Sequence, residues 1–425
     1  MTPPPAAPDP AGPRRRVLWL STAAFTLLFA VWLMLGVLGI RIRDDLALTP
    51  AQFDWLLAVA ILAGALPRLN FGIWADRYGG RLVMTLTLLI TAVPTYLVSR
   101  VTSYEELLAC AALFGLAGNS FTAGVAWTSA WFPARSKGTA LGVFGAGNVG
   151  AAATKFLAPA LLAVIPAAGF LGGAVPGGWR FVPVVYAVLL VGMAAAVWFL
   201  SPTPDRCPGR GRPMAEVLAP LRHVRVWRFS LYYVVVFGAY VALAAYLPKY
   251  YVDVYRLDLA TAGYLTALFI FPASLLRPVG GWLSDRYGPR PVMYAVFLAM
   301  TAALAVLSVP GMDLGPAVFT ALVVVVGCGM GIGKASVFKY VPDYFPRDVG
   351  AVGGLVGALG AVGGFILPPA FGALGRWAGA PQAAFVALLV LTAGSLAWLH
   401  VTVLRIKAGG RTERTAAVRV EPAAA

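Results

Sequence analysis

Apolar runs long enough to cross a bilayer follow one another along the whole chain, at 17–40, 54–75, 82–101, 107–131, 139–165, 182–201, 229–250, 262–284, 292–309, 316–344, 351–375 and 382–402. A helical crossing needs about 20 apolar residues, so these twelve runs use up most of the chain and leave short connections. Only 12% of the residues are charged, against roughly 25% in soluble domains. That excludes an ordinary cytosolic enzyme. The 47 glycines and 32 prolines are tolerated in membrane helices, where neighbouring helices satisfy freed backbone groups. The expected fold class is all-α: a polytopic membrane protein of twelve transmembrane helices, its partner the lipid bilayer. The net charge of +16 comes from dispersed basic residues, so no nucleic-acid partner is expected. Cys110, Cys207 and Cys328 are too scattered for a disulfide framework or a metal site, and neither a metal nor a cofactor is expected.

The first run follows Arg14, Arg15 and Arg16, like a signal peptide. At about 24 residues it exceeds a signal h-region of 7–15 and reads as a retained helix. With both termini cytoplasmic, the inside segments hold 21 Lys/Arg and the outside loops seven, the bias that sets orientation. Five basic residues remain inside spans: Arg68, Lys155, Arg277, Lys334 and Lys339. The expected organisation is a disordered cytoplasmic N-tail (1–16), a six-helix half (17–201), a basic cytoplasmic linker (202–228), a second six-helix half (229–402) and a disordered cytoplasmic C-tail (403–425). The linker is expected to lie against the anionic inner leaflet.

Residues 68–81 read RLNFGIWADRYGGR and residues 277–290 read RPVGGWLSDRYGPR. Both fit R-x3-G-x3-D-R-Y-G-x-R at a constant offset of 209. A second echo lies in spans five and eleven, where Gly138, Gly142, Gly145 and Asn148 match Gly350, Gly354, Gly357 and Gly360 at an offset of 212. Two parallel halves with a site between them near mid-membrane explain both. D-R-Y-G-x-R at a cytoplasmic helix turn, once per half, resembles the signature loop of the major facilitator superfamily. The resemblance implies two pseudo-symmetric six-helix halves that rock to give alternating access. In these loops, Asp76, Arg77, Arg81, Asp285, Arg286 and Arg290 are candidates for gating ion pairs, set against a purely structural role.

Arg68 lies well inside span two, and Arg277 is its counterpart in span eight. A charge at mid-bilayer costs at least about 2.5–3.5 kcal/mol, so it faces a cavity or a partner. No Asp or Glu lies in the central part of any span. The usual salt-bridge partner is missing, and the anion these arginines await is then the substrate. A planar, permanently charged guanidinium suits planar oxyanions. Most glycines of spans five and eleven read as close helix packing. Asn148, an amide among glycines, needs a partner and has a donor to offer an anion.

The G-x-G-N-x-G of Gly145, Gly147, Asn148 and Gly150, the glycine run of span eleven, one arginine in each of spans two and eight, and GNSFTAGVAWTSAWFPARSKGTALG from Gly118 together resemble the nitrate/nitrite porter family. The resemblance implies nitrate or nitrite held between Arg68 and Arg277, sandwiched by aromatic rings. It points to Tyr233 and Phe237, one turn apart in span seven, and more weakly to Trp127 in span four, with Asn119 in a second polar layer. Lys339, near its span end, reads as snorkelling and structural. Lys334 in span ten, with Lys155, is the candidate for proton coupling, because lysines in low dielectric release protons more readily. The family branch with lysine in span ten resembles proton-coupled nitrate symporters.

The expected function is nitrate import across the inner membrane by nitrate/proton symport, in nitrate assimilation or respiration, by a monomer. The alternatives are a nitrate/nitrite antiporter, a nitrite transporter and a phosphate-ester exchanger. GIGKAS fails as a phosphate loop, since Cys328 stands at its first glycine and Ala335 at its Ser/Thr. With His223 and His400 alone and no nucleophile–base pair, no catalytic residue is expected.

Overall fold

The computed structural model describes residues 11–418, apart from 151–153, 155–164, 167–168, 171–174 and 313. Among the described residues there is no β-strand, and eleven helices are long and apolar enough to cross a membrane. In chain order these are Ala11–Trp32, Ala51–Tyr78, Gly80–Val98, Tyr104–Trp131, Gly178–Leu200, Val224–Tyr255, Thr261–Tyr287, Pro289–Leu307, Pro316–Tyr344, Val349–Ala378 and Ala383–Ile406. They are spans one to four, six, and seven to twelve. Span five begins as Ala134–Gly145 and a 3₁₀ turn, Ala146–Val149, and then enters mostly undescribed residues.

Two boundaries differ from expectation. Helix already begins at Ala11, within the expected N-tail, and the last helix runs to Val418, within the expected C-tail. Arginine, frequent in both stretches, is a strong helix former, and Pro13 is tolerated in a first turn. Span one also breaks after Trp32 and resumes as Leu35–Asp45.

Several spans lose their regular hydrogen bonding near the middle, for identifiable reasons. Span two consists of Pro50–Ala63 and Arg68–Tyr78. Pro67 has no N–H, which frees the Ala63 carbonyl, and Asn119 Nδ2 donates to it at 3.1 Å. The Gly64 carbonyl accepts from Arg68 Nε at 2.8 Å. Span eight breaks at the equivalent place, into Leu259–Leu275 and Arg277–Tyr287, beside Pro278. There the Ala273 carbonyl, counterpart of Gly64, accepts from Lys334 Nζ at 3.0 Å. Span seven contains a π-helical segment, Val234–Gly238, and span four a 3₁₀ turn, Gly115–Asn119. Such irregular turns recur at functional sites.

The halves meet most closely at the end carrying both signature loops. A Cβ on Gly350 would stand 2.0 Å from the Gly72 carbonyl oxygen, and one on Gly281 would stand 2.1 Å from that of Gly138. Each loop aspartate accepts from the start of a helix in the opposite half. Asp76 takes the Gly350 N–H at 2.7 Å; Asp285 takes those of Gly138 at 2.9 Å and Thr139 at 2.6 Å. For Asp76, whose donor Gly350 is the second residue of Val349–Ala378, the helix N-terminus adds a favourable interaction. Lys339 pairs with Asp285 at 2.9 Å and donates to the Ala134 carbonyl across the interface, so its role exceeds snorkelling.

The loop arginines do not share this bridging. Arg77 lies over Tyr78, and Arg286 over Trp282 and Tyr287. Arg81 donates to the Trp198 carbonyl of its own half at 2.6 Å, and Arg290 donates to Tyr344 Oη of its own half at 2.9 Å. The linker makes specific contacts of its own. Asp205 accepts from both Trp127 and Trp131 indoles and from the Arg81 N–H. Gly209 N–H donates to the Asp76 carbonyl, and Arg212 pairs with Asp348 at 2.6 Å. Specific hydrogen bonds thus draw this part of the linker onto the protein.

Gly350→Ala places a methyl group against backbone that cannot swing away. It is expected to cost about 1–3 kcal/mol, as overpacking does, read as a lower melting temperature of the purified protein. An unchanged melting temperature would contradict so close an approach of the halves.

Candidate anion-binding site

The helix breaks set both arginines deep between the halves, each only 1% exposed. Arg68 is held on both sides, by Nε to the Gly64 carbonyl and by Nη1 to the Gly357 carbonyl of the opposite half at 2.9 Å. Arg277 differs: its Nε and Nη1 are buried with no hydrogen-bond partner. Its guanidinium lies on Gly145, where a Cβ would come 2.4 Å from Nε. Gly357, the repeat counterpart of Gly145, differs: a Cβ there would meet Arg68 at 3.6 Å, an ordinary contact. In span five, Gly145 therefore makes room for an arginine side chain, as its neighbours do for a helix.

Both guanidinium carbons lie near one ring, Phe121, at 5.9 Å from Arg68 and 5.2 Å from Arg277. Phe121 is nearly parallel to Tyr233, with centroids 6.2 Å apart, and Tyr233 is nearly parallel to Phe237 at 5.0 Å. Phe338 closes edge-on against Phe121 and Tyr233. Gly360 admits the Tyr233 ring, since a Cβ there would meet it at 2.3 Å. The Tyr233 hydroxyl faces the Arg277 guanidinium without completing a hydrogen bond of regular geometry, and its charged neighbours are Arg277 and Arg68.

Lys334 adds a third fully buried cation. Besides its bond to the Ala273 carbonyl, its Nζ lies 3.2 Å from the Tyr240 ring centroid and 5.8 Å from that of Phe237. Arg277 is its charged neighbour. Among the described residues, no carboxylate forms an ion pair with Arg68, Arg277 or Lys334. Asn148, on the 3₁₀ turn of span five, is buried with neither amide atom bonded. Burying charged and polar donors without partners is costly. The arrangement suits a small planar anion that accepts from Arg277 and stacks on a ring.

Of the sequence candidates, Arg68, Arg277, Tyr233, Phe237 and Lys334 come together. Asn148 is buried and finds no partner within the protein. Asn119 braces the broken helix of span two through Nδ2, and its Oδ1 is buried and unbonded. Trp127 is a correction: its indole donates to Asp205 at 3.1 Å. It follows Phe121 by six residues, about 600° of helical rotation, and so faces elsewhere. Lys155 lies outside the described residues. Phe121 and Phe338 are the residues that sequence reasoning missed. The 3₁₀ turn Gly115–Asn119, two residues before Phe121, resets the helix phase and hides its inward face from the sequence.

The major facilitator superfamily model matches residues 20–368 and 255–422. A relative from Thermus thermophilus, "Probable nitrate/nitrite antiporter NarK1", is 60% identical over 409 residues, 92% of each chain. The "Nitrite extrusion protein" of Bacillus subtilis (strain 168) is 32% identical, covering 86% of this chain and 90% of its own. Among solved structures, the transporter FucP in its outward conformation superposes with a TM-score of 0.72 at 17% identity, covering 91% of this chain and 99% of FucP. With the family model matching most of the chain and these relatives nearly full length, the chain belongs to the major facilitator superfamily, a class of transporters rather than enzymes, and within it to the nitrate/nitrite porter family.

Proposed function

We propose that this protein carries nitrate and nitrite across the cytoplasmic membrane by alternating access, as a monomer with both termini inside. The observation that carries this reading is Arg277, buried with two donor nitrogens unbonded beside three nearly parallel rings. The printed names of the relatives support the substrate class. In this reading the anion accepts from Arg277 and the Tyr233 hydroxyl, lies against the aromatic rings, and offsets the repulsion between the two arginines so that the halves can close.

Arg277→Lys keeps the charge and loses the planar fork. Truncating one partner of a buried charged hydrogen bond costs about 2–5 kcal/mol; losing the fork alone is expected to weaken nitrate binding by more than about tenfold. Arg68→Lys also loses the carbonyl contacts that join the halves, so it is expected to weaken binding and lower thermal stability together. Nitrate binding within twofold of the parent in both purified variants would remove the arginines from the site. Phe121→Ala is expected to relax selectivity among small anions in competition binding. An unchanged competition profile would place the aromatic clamp elsewhere.

For coupling, we favour proton symport through Lys334. An entering anion offsets the repulsion among three cations, so anion and proton favour each other's binding, and the effect is reciprocal. Exchange of nitrate for nitrite is the second reading, favoured by the printed name of the Thermus relative. Lys334→Gln is expected to abolish accumulation of labelled nitrate driven by a proton gradient in proteoliposomes. A variant that still accumulates nitrate would free Lys334 of that role; parent vesicles that take up nitrate only when loaded with nitrite would establish exchange.

A further inference from the structure

The second half contains another group of polar side chains, three buried and three half-buried, on the side of spans seven and ten away from the central site. Three helices each contribute an i,i+4 pair: Arg228 and Tyr232 in span seven, Arg290 and Tyr294 in span nine, Tyr340 and Tyr344 in span ten. Such pairs lie on one helix face. Tyr340 has Tyr232, Arg228, Arg290 and Tyr344 as its electrostatic neighbours, and Tyr232 has Arg228 and Tyr294. Phe229 stacks on Tyr340 at 4.8 Å and Phe297 meets Tyr232 edge-on at 5.1 Å, which walls the group with rings.

Its polar atoms are strongly one-sided. Arg228, 8% exposed, spends Nη1 on Thr402 Oγ1 at 2.5 Å, and its Nε is buried with no partner. The hydroxyls of Tyr232 and Tyr340, 0% and 3% exposed, are also buried and unbonded. Arg290 reaches Tyr344, and Tyr294 meets His400 Nδ1 at 2.9 Å. Among the described residues, no carboxylate pairs with either arginine. Water can satisfy a tyrosine hydroxyl, but it leaves the charge of a buried guanidinium uncompensated.

We propose that Arg228, Tyr232 and Tyr340 form a second anion site, taking a small monovalent inorganic anion that is bound within the second half and is not itself transported. The site is separate from the central one. Tyr232 and Tyr233 are consecutive and point about 100° apart on the helix, and the charged neighbours of Tyr233 are Arg277 and Arg68 rather than Arg228. All its contributors come from spans seven, nine, ten and twelve, so rocking of the halves does not open it. The close ring packing limits the occupant to a few atoms, which suits a halide, nitrite or nitrate rather than a phosphate ester.

The test uses the purified full chain, with potassium chloride, bromide, nitrite and nitrate as probes and sulfate as a divalent control. Anion binding is read by calorimetry and by the shift in melting temperature. Arg277→Gln, which removes the principal donor of the central site, is expected to keep one anion-binding event. Adding Arg228→Gln to that variant is expected to eliminate it, and adding Tyr340→Phe, which deletes one hydroxyl and endangers folding least, to weaken it about tenfold. Bromide in crystals of the parent protein is expected to give an anomalous peak within hydrogen-bonding distance of Arg228 Nε. A response to all the monovalent ions would mark a general anion site, and one confined to nitrite and nitrate a site that reads the oxyanion; either supports the proposal. Loss of every anion response in Arg277→Gln, or an unaltered response after Tyr340→Phe and Arg228→Gln, would overturn it and leave a water-filled cluster.

Discussion

A guanidinium buried where no carboxylate can reach it sets the terms for the centre of this protein. The cost of such a charge has to be offset by other groups, and here the helices supply them by breaking. Where Pro67 interrupts span two and span eight opens beside Pro278, backbone carbonyls lose their helical donors. The Gly64 carbonyl is then free to accept from Arg68, and its counterpart at Ala273 accepts from Lys334. The same interruption that would weaken an ordinary helix thus stabilises a cation at membrane depth. It also creates the difference between the halves. Arg68 is anchored to carbonyls of both halves, whereas Lys334 occupies the carbonyl equivalent to the one that Arg68 uses, and Arg277 keeps two donor nitrogens unbonded.

The signature-loop end repeats this combination of symmetry and departure from it. Asp76 and Asp285 each accept from a helix start in the opposite half, as the repeat requires. Their surroundings differ. Asp285 has Lys339 as a buried partner. Asp76 has no ion pair among the described residues, one of its oxygens is unbonded, and the linker closes over it through Gly209 and the Arg212–Asp348 pair. One contact is reinforced by a side chain of the adjoining span, the other by the segment that joins the halves. A chain assembled from two similar halves therefore closes on unequal terms, and changes to the linker bear on one side of the closure only.

How much of this the sequence discloses depends on the kind of signal. Hydropathy gives the spans directly, because crossing a bilayer imposes both a length and a composition. The repeats align Arg68 with Arg277 and Asp76 with Asp285, since an offset that holds across a whole motif survives uncertainty in helix boundaries. Helix phase does not survive it. Choosing Trp127 over Phe121 is a question of which face of span four looks inward, and the 3₁₀ turn just before Phe121 resets that phase. Arg228 sits at a span end, where a basic residue ordinarily reaches water, and only the packing of spans nine, ten and twelve shows it enclosed. Asp205 is an acid in a basic linker, and nothing in its neighbours in sequence announces two indoles waiting for it.

The glycines link these observations. Along span five, Gly138 lies against Asp285 and Gly281, Gly142 against the Arg277 backbone, and Gly145 against the Arg277 guanidinium. Along span eleven, Gly350 lies against Asp76 and Gly72, Gly354 against the Arg68 backbone, and Gly357 against the Arg68 side chain. The loop contact and the anion site are thus two points on one helix–helix seam, repeated twice between the halves, seven residues and about 10 Å apart at helical rise. Between those points, where Gly142 and Gly354 meet backbone, little can change rotamer to absorb a displacement, and close-packed interiors transmit strain. On the proposed function, an anion that draws Arg277 toward the aromatic rings acts on the same seam that the loop aspartate holds shut. Substituting a larger residue at Gly142 or Gly354, midway along it, would separate both points at once, which is why the two ends cannot be tuned independently.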